Sequence, residues 1–579
     1  MLKSAQRVAL GDKRLLWLRN SFRLLAVVMA GLHTWAAAIS QSMNPDGVAY
    51  LDIGDAYFRR DWEAAISTVW SPLYSWLLGA ALWLFRPPMP WEFPTVHLVN
   101  FVIFLATLCA FEFMWGQLAG TQQAGTVSPT RQIPWPPWAW WSIGYLLFTW
   151  ASLCLIQIWS VTPDMLMAAL VFAAAGLVAR IRAGHDQWYS FALLGCALGL
   201  GYLNKAIMFP VSLLFMAAAL MAVSDGRRAL RGTGLALLFS LLIGGPFVLL
   251  ITSAKGHFTY GEAGKFTYVR HVNGVIYPHW QGEPAGDGVP VHPSRQIFEN
   301  PPIYEFATPI GGTYPIAYDQ AYWYEGVVVR FDLVNQVRQL ISSGLYYADL
   351  FVYRQAAILF SLSLIYALRK WGSFSPRRGG RAALLSAVGV LALLLYAPIL
   401  VAGRYVGVFV VLFWSDLLAQ ARLPDSPVGR RMITTLSLLI VTFLGFNILL
   451  FNIQGLGDLA RGGEQPPAGA AVAGPPARPV AVAGELWRMG IEPGDPVAVI
   501  GYGFDAFWAR LARAKIVAEM LEWQATPFWL GDSAFQQAVL TAFASTGARA
   551  VVAENVPAYA KLPGWRRVGD SSYYIYLLD

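Results

Sequence analysis

Residues 24–79 read LLAVVMAGLHTWAAAISQSMNPDGVAYLDIGDAYFRRDWEAAISTVWSPLYSWLLG, an apolar run followed directly by an acidic and aromatic segment. Six basic residues precede the run, namely Lys3, Arg7, Lys13, Arg14, Arg19 and Arg23, and no convincing cleavage site follows it. Since basic residues stay on the cytoplasmic side of a span, the pattern predicts an uncleaved first transmembrane helix with a cytoplasmic N-terminus. The acidic segment then begins on the external side.

The composition of the whole chain is typical of a membrane protein. Of its 579 residues, 56% are hydrophobic and only 13% are charged, whereas charged residues make up about 25% of a soluble globular chain. Soluble, disordered and coiled-coil proteins are therefore excluded. The net charge of +8 comes from short basic clusters between apolar runs, which indicate membrane topology rather than a nucleic-acid partner.

Further apolar runs of membrane-spanning length follow the first one. They lie near 94–116, 138–158, 165–182, 188–203, 207–223, 232–252, 350–368, 383–401, 405–420 and 432–453, which gives about eleven spans. Alternation then places the basic clusters on the cytoplasmic side, namely Arg131, Arg180, Arg182, Arg227, Arg228, Arg231, Arg369, Lys370, Arg377, Arg378, Arg381, Arg422, Arg430 and Arg431. The shorter segment 71–86 would invert this order if it crossed, so we place it as an interfacial or re-entrant helix.

The predicted fold class is a polytopic α-helical membrane protein with a large external loop and a small C-terminal α/β domain. The transmembrane domain covers 1–455, with external loops at 41–93 and 253–349. A Gly/Pro/Ala-rich linker, 456–480, leads to an external segment, 481–579, in which short β-type runs alternate with amphipathic helices. An odd number of spans puts this segment outside the cytoplasm, in the periplasm or extracellular space.

The first external loop carries the candidate catalytic chemistry. Asp46 follows the first span closely, and Tyr50 comes one helical turn later. An aromatic-rich helix with a proline at its start, SPLY at 71–74, comes next. This order holds a carboxylate beside the lipid headgroups, although a solvated acidic loop would also explain the individual acids.

Here the sequence resembles the lipid-linked-sugar glycosyltransferases of the GT-C superfamily, particularly protein O-mannosyltransferases and aminoarabinose transferases of lipid A. Their D-E-x-x-Y-like stretch matches Asp46 and Tyr50, and their H-P-P-L-Y-like stretch matches 71–74, including Tyr74. Two positions depart from the pattern, because Gly47 stands where an acid is usual and Ser71 where a histidine is usual.

Three further stretches match the same superfamily in order. VTPDMLMAAL contains Asp164, LGLGYLNKAIMFP contains Lys205, and AGRYVGVF contains Arg404 and Tyr405. The charge pattern independently maps all of them to the external side. The resemblance covers roughly residues 24–455.

The resemblance implies transfer of a sugar from a polyprenyl-phosphate donor to an acceptor at the external face of the inner, or plasma, membrane, with inversion. The acceptor is a lipid, a polysaccharide or a protein. Asp46 is the candidate base, and the candidate substrate-binding residues are Tyr50, Asp52, Tyr74, Asp164, Lys205, Arg404 and Tyr405. Without the acid next to Asp46 no metal ligands are assigned, and a divalent cation is left open as a cofactor.

Other functions remain open at this point. A transporter or flippase, a polymerase or ligase of lipid-linked saccharides, and a sensor that binds its ligand through the tail are the alternatives. Gly501, Gly503 and Ala506, with Glu519 at the end of the next strand, resemble a dinucleotide fingerprint. A tight strand-to-helix turn explains these glycines equally well, and an external tail has no access to nicotinamide cofactors.

Overall fold

The computed structural model describes residues 2–124, 132–276, 278–370, 383–460, 475 and 477–578. Arg131, Arg377, Arg378 and Arg381, and most of the predicted linker, lie outside the described residues. The side chains of Arg369 and Lys370 are likewise outside them.

The chain is mostly helical. Its α-helices are α1 Leu2–Ser40, α2 Pro45–Arg59, α3 Trp62–Ala65, α4 Pro72–Phe85, α5 Glu92–Ala124, α6 Pro137–Trp150, α7 Asp164–Arg182, α8 Trp188–Asn204, α9 Met208–Ala222, α10 Gly226–Lys255, α11 Ala263–Tyr268, α12 Pro315–Tyr318, α13 Gln320–Trp323, α14 Leu333–Ala348, α15 Ala356–Lys370, α16 Leu384–Tyr396, α17 Gly403–Gln420, α18 Pro427–Ala460, α19 Pro479–Arg488, α20 Phe507–Ala512, α21 Thr526–Leu530 and α22 Ser533–Ala544. The π-helical segments Ala151–Ile156, Val269–Asn273 and Asp349–Tyr353 extend α6, α11 and α14.

Six helical stretches within the described residues are long and apolar enough to cross a membrane. They are Lys13–Ser40, Met89–Gly120, Pro137–Ile156, Asp164–Arg182, Gly226–Lys255 and Pro427–Gly455. A seventh is counted if the pair Leu333–Tyr353 and Ala356–Leu368, bent by 75°, forms one span. The chain is therefore a multi-pass membrane protein, while the number of about eleven spans stays a prediction.

Helix α2 is a short helix that follows the first candidate span. Pro45 occupies its first turn, and Arg60, with a left-handed φ of 62°, ends it. Gly54 faces Gly79 of α4 so closely that a Cβ at Gly54 would lie 2.8 Å from the Ser75 carbonyl oxygen. The segment predicted as an interfacial or re-entrant helix is thus α4, which packs along α2.

The ends of α7, α8 and α17 meet near the start of α2. Asn44, just before α2, accepts a hydrogen bond from the Val161 amide at 2.8 Å and donates one to its carbonyl at 3.3 Å. Asn204, the last residue of α8, donates to the Pro163 carbonyl at 2.9 Å. These polar contacts fix the start of α7, the end of α8 and the start of α2 at one place, and Arg404 brings the start of α17 beside them.

The tail, defined here as residues 477–578, contributes to a seven-stranded sheet in the order β2-β3-β6-β5-β7-β9-β8. The strands of the chain are β1 Gln132–Ile133, β2 Arg295–Phe298, β3 Ile303–Glu305, β4 Leu423–Pro424, β5 Pro496–Gly501, β6 Lys515–Leu521, β7 Ala550–Ala553, β8 Arg566–Arg567 and β9 Tyr574–Leu577. β5 runs parallel to both β6 and β7, whereas β3 pairs antiparallel with β6 through Tyr304 opposite Glu519. The sheet is therefore shared between the tail and the large external loop.

The turn that resembles a dinucleotide fingerprint, at Gly501 and Gly503, packs closely against other side chains of the protein. A Cβ at Gly503 would overlap the ring of Tyr314, which comes from the external loop. Glu519 is fully buried and accepts hydrogen bonds from the Gly503 amide at 2.6 Å and the Tyr314 hydroxyl at 2.9 Å. His279 lies 2.7 Å from the same carboxylate. Gly503 and Glu519 are thus engaged by other residues of the protein, Tyr314 and His279.

Candidate active site

Asp46 and Arg404 form the centre of the candidate site. Asp46 lies in the first turn of α2 and Arg404 in the first turn of α17, and Arg404 Nη2 donates to Asp46 Oδ2 at 2.8 Å. Both side chains keep 30% of their surface exposed. A carboxylate and a guanidinium that are 358 residues apart in the chain therefore meet at a partly exposed position.

A second ion pair lies beside the first one. Lys205, directly after α8, pairs with Asp164 at the start of α7. Asp164 Oδ1 takes this bond, whereas its Oδ2 has no hydrogen-bond partner among the described residues and lies 4.0 Å from Arg404 Nε. The side chain is only 1% exposed. Because a buried carboxylate oxygen without a hydrogen bond is unfavourable, this oxygen depends on the nearby charge of Arg404.

The Tyr405 ring lies close to both Lys205 and Arg404. Lys205 Nζ lies 4.0 Å from the centre of its ring, and Arg404 Cζ lies 5.0 Å from it. The Tyr405 hydroxyl also accepts a hydrogen bond from Arg404 Nη2 at 3.1 Å. Attraction between each cation and the ring face offsets part of the repulsion between like charges. The result is a compact positive region bordered by Asp46 and Asp164.

Tyr50 of α2 and Tyr74 of α4 are buried and pack against each other near the charged group. The Tyr50 ring meets the Tyr74 ring edge-on at 5.1 Å, and Tyr74 donates its hydroxyl to Asn100 at 2.7 Å. Burial raises the pKa of Tyr50 well above its usual value, and the negative charges of Asp46 and Asp164 raise it further. Tyr50 therefore remains protonated. Tyr74 is fully buried, and its ring packs against the Tyr50 ring.

Asp52 lies away from the other candidate residues, contrary to the expectation that it binds substrate with them. It follows Asp46 by six residues, which places the two side chains about 120° apart around α2. Arg510 Nη1 contacts its Oδ1 at 2.7 Å, and the Thr313 amide donates to its Oδ2 at 2.7 Å. Both carboxylate oxygens are thus engaged within the protein.

The sequence interpretation missed the partners of that carboxylate. Arg510 and Arg513 of the tail reach Asp52, Asp55 and Glu92 of the first external loop. The only sequence signal was a pair of arginines three residues apart in FWARLARA, an otherwise apolar segment. Nothing in that spacing identifies carboxylates more than four hundred residues earlier in the chain.

Gly47 explains one departure from the superfamily pattern. A Cβ at this position would lie 2.7 Å from Met43 Sδ and 2.8 Å from Val161 Cβ. An acidic side chain next to Asp46 therefore has no room at this helix start. Among the residues that the structure describes, no group of three His, Cys, Asp or Glu side chains is arranged to hold a metal ion.

Comparison with known proteins gives two similar solved structures. ArnT from Cupriavidus metallidurans in the apo state aligns at 12% identity and a TM-score of 0.46 over 91% of this chain and 92% of that one. The Archaeoglobus fulgidus oligosaccharyltransferase, in complex with Zn and sulfate, aligns at 12% identity and a TM-score of 0.44 over 91% and 67% of the two chains. No family model and no curated protein sequence matches the chain.

Proposed function

We propose that the protein is an integral membrane glycosyltransferase that moves a sugar from a polyprenyl-phosphate donor to an acceptor hydroxyl at the external membrane face. One observation carries this proposal. Asp46, Asp164, Lys205 and Arg404, which belong to four different segments of the chain, meet in one group at the ends of α2, α7, α8 and α17. Four of the five stretches in which the sequence resembles the GT-C superfamily contain these same residues, one in each.

The arrangement suits a direct displacement at the sugar. Asp46 removes the proton of the acceptor hydroxyl as that oxygen attacks the anomeric carbon, and the bond to the phosphate oxygen breaks. Lys205 and Arg404 stabilise the negative charge that develops on the departing phosphate. The buried carboxylate of Asp164 orients Lys205 and Arg404. Because Asp164 is only 1% exposed whereas Asp46 keeps 30% of its side-chain surface exposed, Asp46 is left as the base of a single-step, inverting transfer.

The ion pairs also suggest how donor binding prepares the base. The two carboxylates and two cations of the group carry formal charges that cancel. A phosphate that enters beside Arg404 competes with Asp46 for the guanidinium. Asp46 then loses part of its ion pair and becomes free to accept a proton. Donor binding thus precedes activation of the acceptor.

The same proposal assigns the parts of the chain. Residues 1–455 form the catalytic membrane domain in the plasma membrane, and 481–579 form an external domain connected by the linker 456–480. The group of charged residues lies at helix ends rather than inside a helix bundle, which suits chemistry on a lipid phosphate at the membrane surface. The acceptor is a lipid, a polysaccharide or a protein.

The test replaces Asp46 by asparagine, which keeps the shape of the side chain and removes the base. Purified protein in lipid nanodiscs is assayed with a panel of undecaprenyl-phosphate-linked sugars, and product formation is followed by mass spectrometry. We expect transfer to fall by roughly 100-fold or more, since general base catalysis contributes about that much. Binding of undecaprenyl phosphate is expected to persist because Lys205 and Arg404 remain.

Asp61→Asn is the matched control. Asp61 is an exposed acid of the same loop that caps α3 by accepting a hydrogen bond from the Ala64 amide at 3.2 Å. Transfer by this variant is expected to match the wild type. Full transfer by Asp46→Asn would remove Asp46 from the role of base, and movement of intact donor without cleavage of the sugar–phosphate bond would favour a flippase.

A further inference from the structure

An ion cluster joins the tail to the first external loop. Arg510 of α20 contacts Asp52 at 2.7 Å, and it contacts Asp55 and Glu92 at 2.8 Å each. Arg513, directly after α20, contacts Asp55 at 2.8 Å and Glu92 at 2.6 Å. Two arginines of the tail are thus surrounded by three carboxylates from the part of the chain that also carries Asp46.

The part of the cluster around Arg510 is buried, whereas the Arg513 and Asp55 side chains are 38% and 21% exposed. The side chains of Arg510, Asp52 and Glu92 are 3%, 7% and 3% exposed. Removing one partner from a buried ion pair leaves the other charge in a medium of low polarity, which is strongly unfavourable. Burial raises the pKa of Asp52, although Arg510 and the Thr313 amide oppose that change. For Asp55, the charges of Arg510 and Arg513 outweigh the effect of burial, and its pKa is lowered.

Helix α2 connects this cluster to the candidate active site. Asp46 and Tyr50 lie on one face of the helix, and Asp52 and Asp55 lie on the other. The axial distance from Asp46 to Asp52 is about 9 Å, since a helix rises about 1.5 Å per residue. A helix of this length moves as one rigid piece. Any rotation or shift of the face that contacts Arg510 is therefore passed on to Asp46.

The large external loop supports the same face of α2. The Thr313 hydroxyl donates to Asp52 Oδ1 at 3.0 Å, next to the Arg510 contact. The Trp70 indole donates to the Ala317 carbonyl at 3.1 Å, which ties the segment before α4 to the same loop. On the opposite side, Asn44 fixes the start of α2 to Val161. Helix α2 is thus held by Val161 at its start, and by Thr313 of the large external loop and Arg510 of the tail at Asp52.

We propose that Arg510 is a positioning residue, through which the tail sets the rotation and depth of α2 and so places Asp46 opposite Arg404. This inference rests on the proposed function for the role of Asp46. The tail is then a structural part of the active site, although it contributes no group to the reaction itself.

Hydrogen–deuterium exchange on full-length protein in nanodiscs tests this proposal. In Arg510→Met, exchange over 45–59 is expected to become faster by roughly tenfold or more, because α2 loses a buried partner. Strands β5 and β7 in the tail are expected to keep their protection, since their pairing does not involve Arg510. Arg510→Lys retains the charge but cannot span all three carboxylates. Its exchange over 45–59 is therefore expected to be faster than in the wild type and slower than in Arg510→Met.

Arg549→Met is the matched control, because Arg549 pairs with Asp495 within the tail at a half-exposed position. Its exchange over 45–59 is expected to equal that of the wild type. Unchanged exchange over 45–59 in Arg510→Met, or an equal loss of protection in β5 and β7, would overturn the positioning role. Binding of undecaprenyl phosphate is measured on the same samples. Its absence in the wild type would reject the proposed donor, while the exchange data would still decide about Arg510.

Discussion

At the scale of single residues, Gly47 shows how a missing side chain shapes the site. A Cβ there would lie within 2.8 Å of both Met43 Sδ and Val161 Cβ. Gly47 directly follows Asp46 in the chain. We predict that Gly47→Ala lowers the free energy of unfolding by about 1–3 kcal/mol, as overpacking does in other proteins. The start of α2 must also shift, so sugar transfer should fall together with stability.

Gly264→Ala provides the comparison for this substitution. Gly264 lies in the helix α11, where a Cβ would have no heavy atom within 4 Å. Both variants gain the higher helix propensity of alanine, which amounts to about 1 kcal/mol, so only the contact with Val161 and Met43 separates them. Thermal unfolding in detergent measures both. Equal melting temperatures for the two variants would mean that α2 has more room than its contacts indicate.

At the scale of helices and strands, sequence patterns identified local structure well but not the pairing between distant segments. Short β-type runs and amphipathic helices were predicted to alternate in 481–579. Of these, the β-type run PVAVI at 496–500 forms most of β5, and the helical run AFQQAVLTAFAST at 534–546 forms most of α22. Period and turn residues are local signals, which is why they suffice here. The antiparallel pairing of β3 with β6 and the contacts of Arg510 depend on segments far apart in the chain, and no local pattern encodes them.

For the candidate site, too, the sequence indicated individual residues but not all of their contacts with distant segments. Asp46, Asp164, Lys205 and Arg404 stood out because charged residues are rare beside membrane spans, and the structure brings these four together. Asp52 stood out for the same reason, yet it turns to the other face of α2. The helical repeat alone separates Asp52 from Asp46. The partner on the opposite face, however, could be identified only from the fold.

The carboxyl ends of β5 and β6 carry a pair of acids that should make stability depend on pH. Burial raises the pKa of Glu522 above its ordinary value of 4.5, against the hydrogen bond from Asn555. Burial, and then the charge of Glu522, raises the pKa of Asp505 above 3.8. Between the ordinary and the raised values the folded protein binds more protons than the unfolded one. This contribution to stability is therefore complete at low pH and is lost as the pH rises through that window.

We therefore predict that Glu522→Gln raises the melting temperature relative to the wild type at pH 7.5 but not at pH 4. Glutamine cannot ionise, so the unfavourable buried charge disappears only where the wild type carries it. Differential scanning fluorimetry at the two pH values measures the difference. Glu299→Gln, at an exposed position of the external loop, serves as control and should show no such pH dependence. A gain of equal size at both pH values would contradict the raised pKa of Glu522.

At the scale of the whole molecule, two groups of charged residues lie at opposite ends of the same helices. Asp164 begins α7 and Arg182 ends it, and Arg182 Nη1 contacts Asp416 near the end of α17 at 3.2 Å. Arg404 begins α17 and lies beside Asp164. The axial length of α7 is about 27 Å, close to the hydrocarbon thickness of about 30 Å. Helix α7 is therefore long enough to place the candidate site and the Arg182–Asp416 pair at opposite faces of a membrane.

This separation predicts the orientation of the chain. We expect Arg180 and Arg182 at one end of α7, and Arg227 and Arg228 at the start of α10, to lie at the cytoplasmic face, because basic residues accumulate there. The candidate site then faces outward, and so does the tail that contacts α2 through Arg510. A reporter enzyme that is active only outside the cytoplasm should therefore be active when fused after residue 579. Fused after Ser224, in the turn between α9 and α10, it should be inactive. Activity at Ser224 without activity at the C-terminus would place Asp46 and Arg404 in the cytoplasm and require a donor on that side.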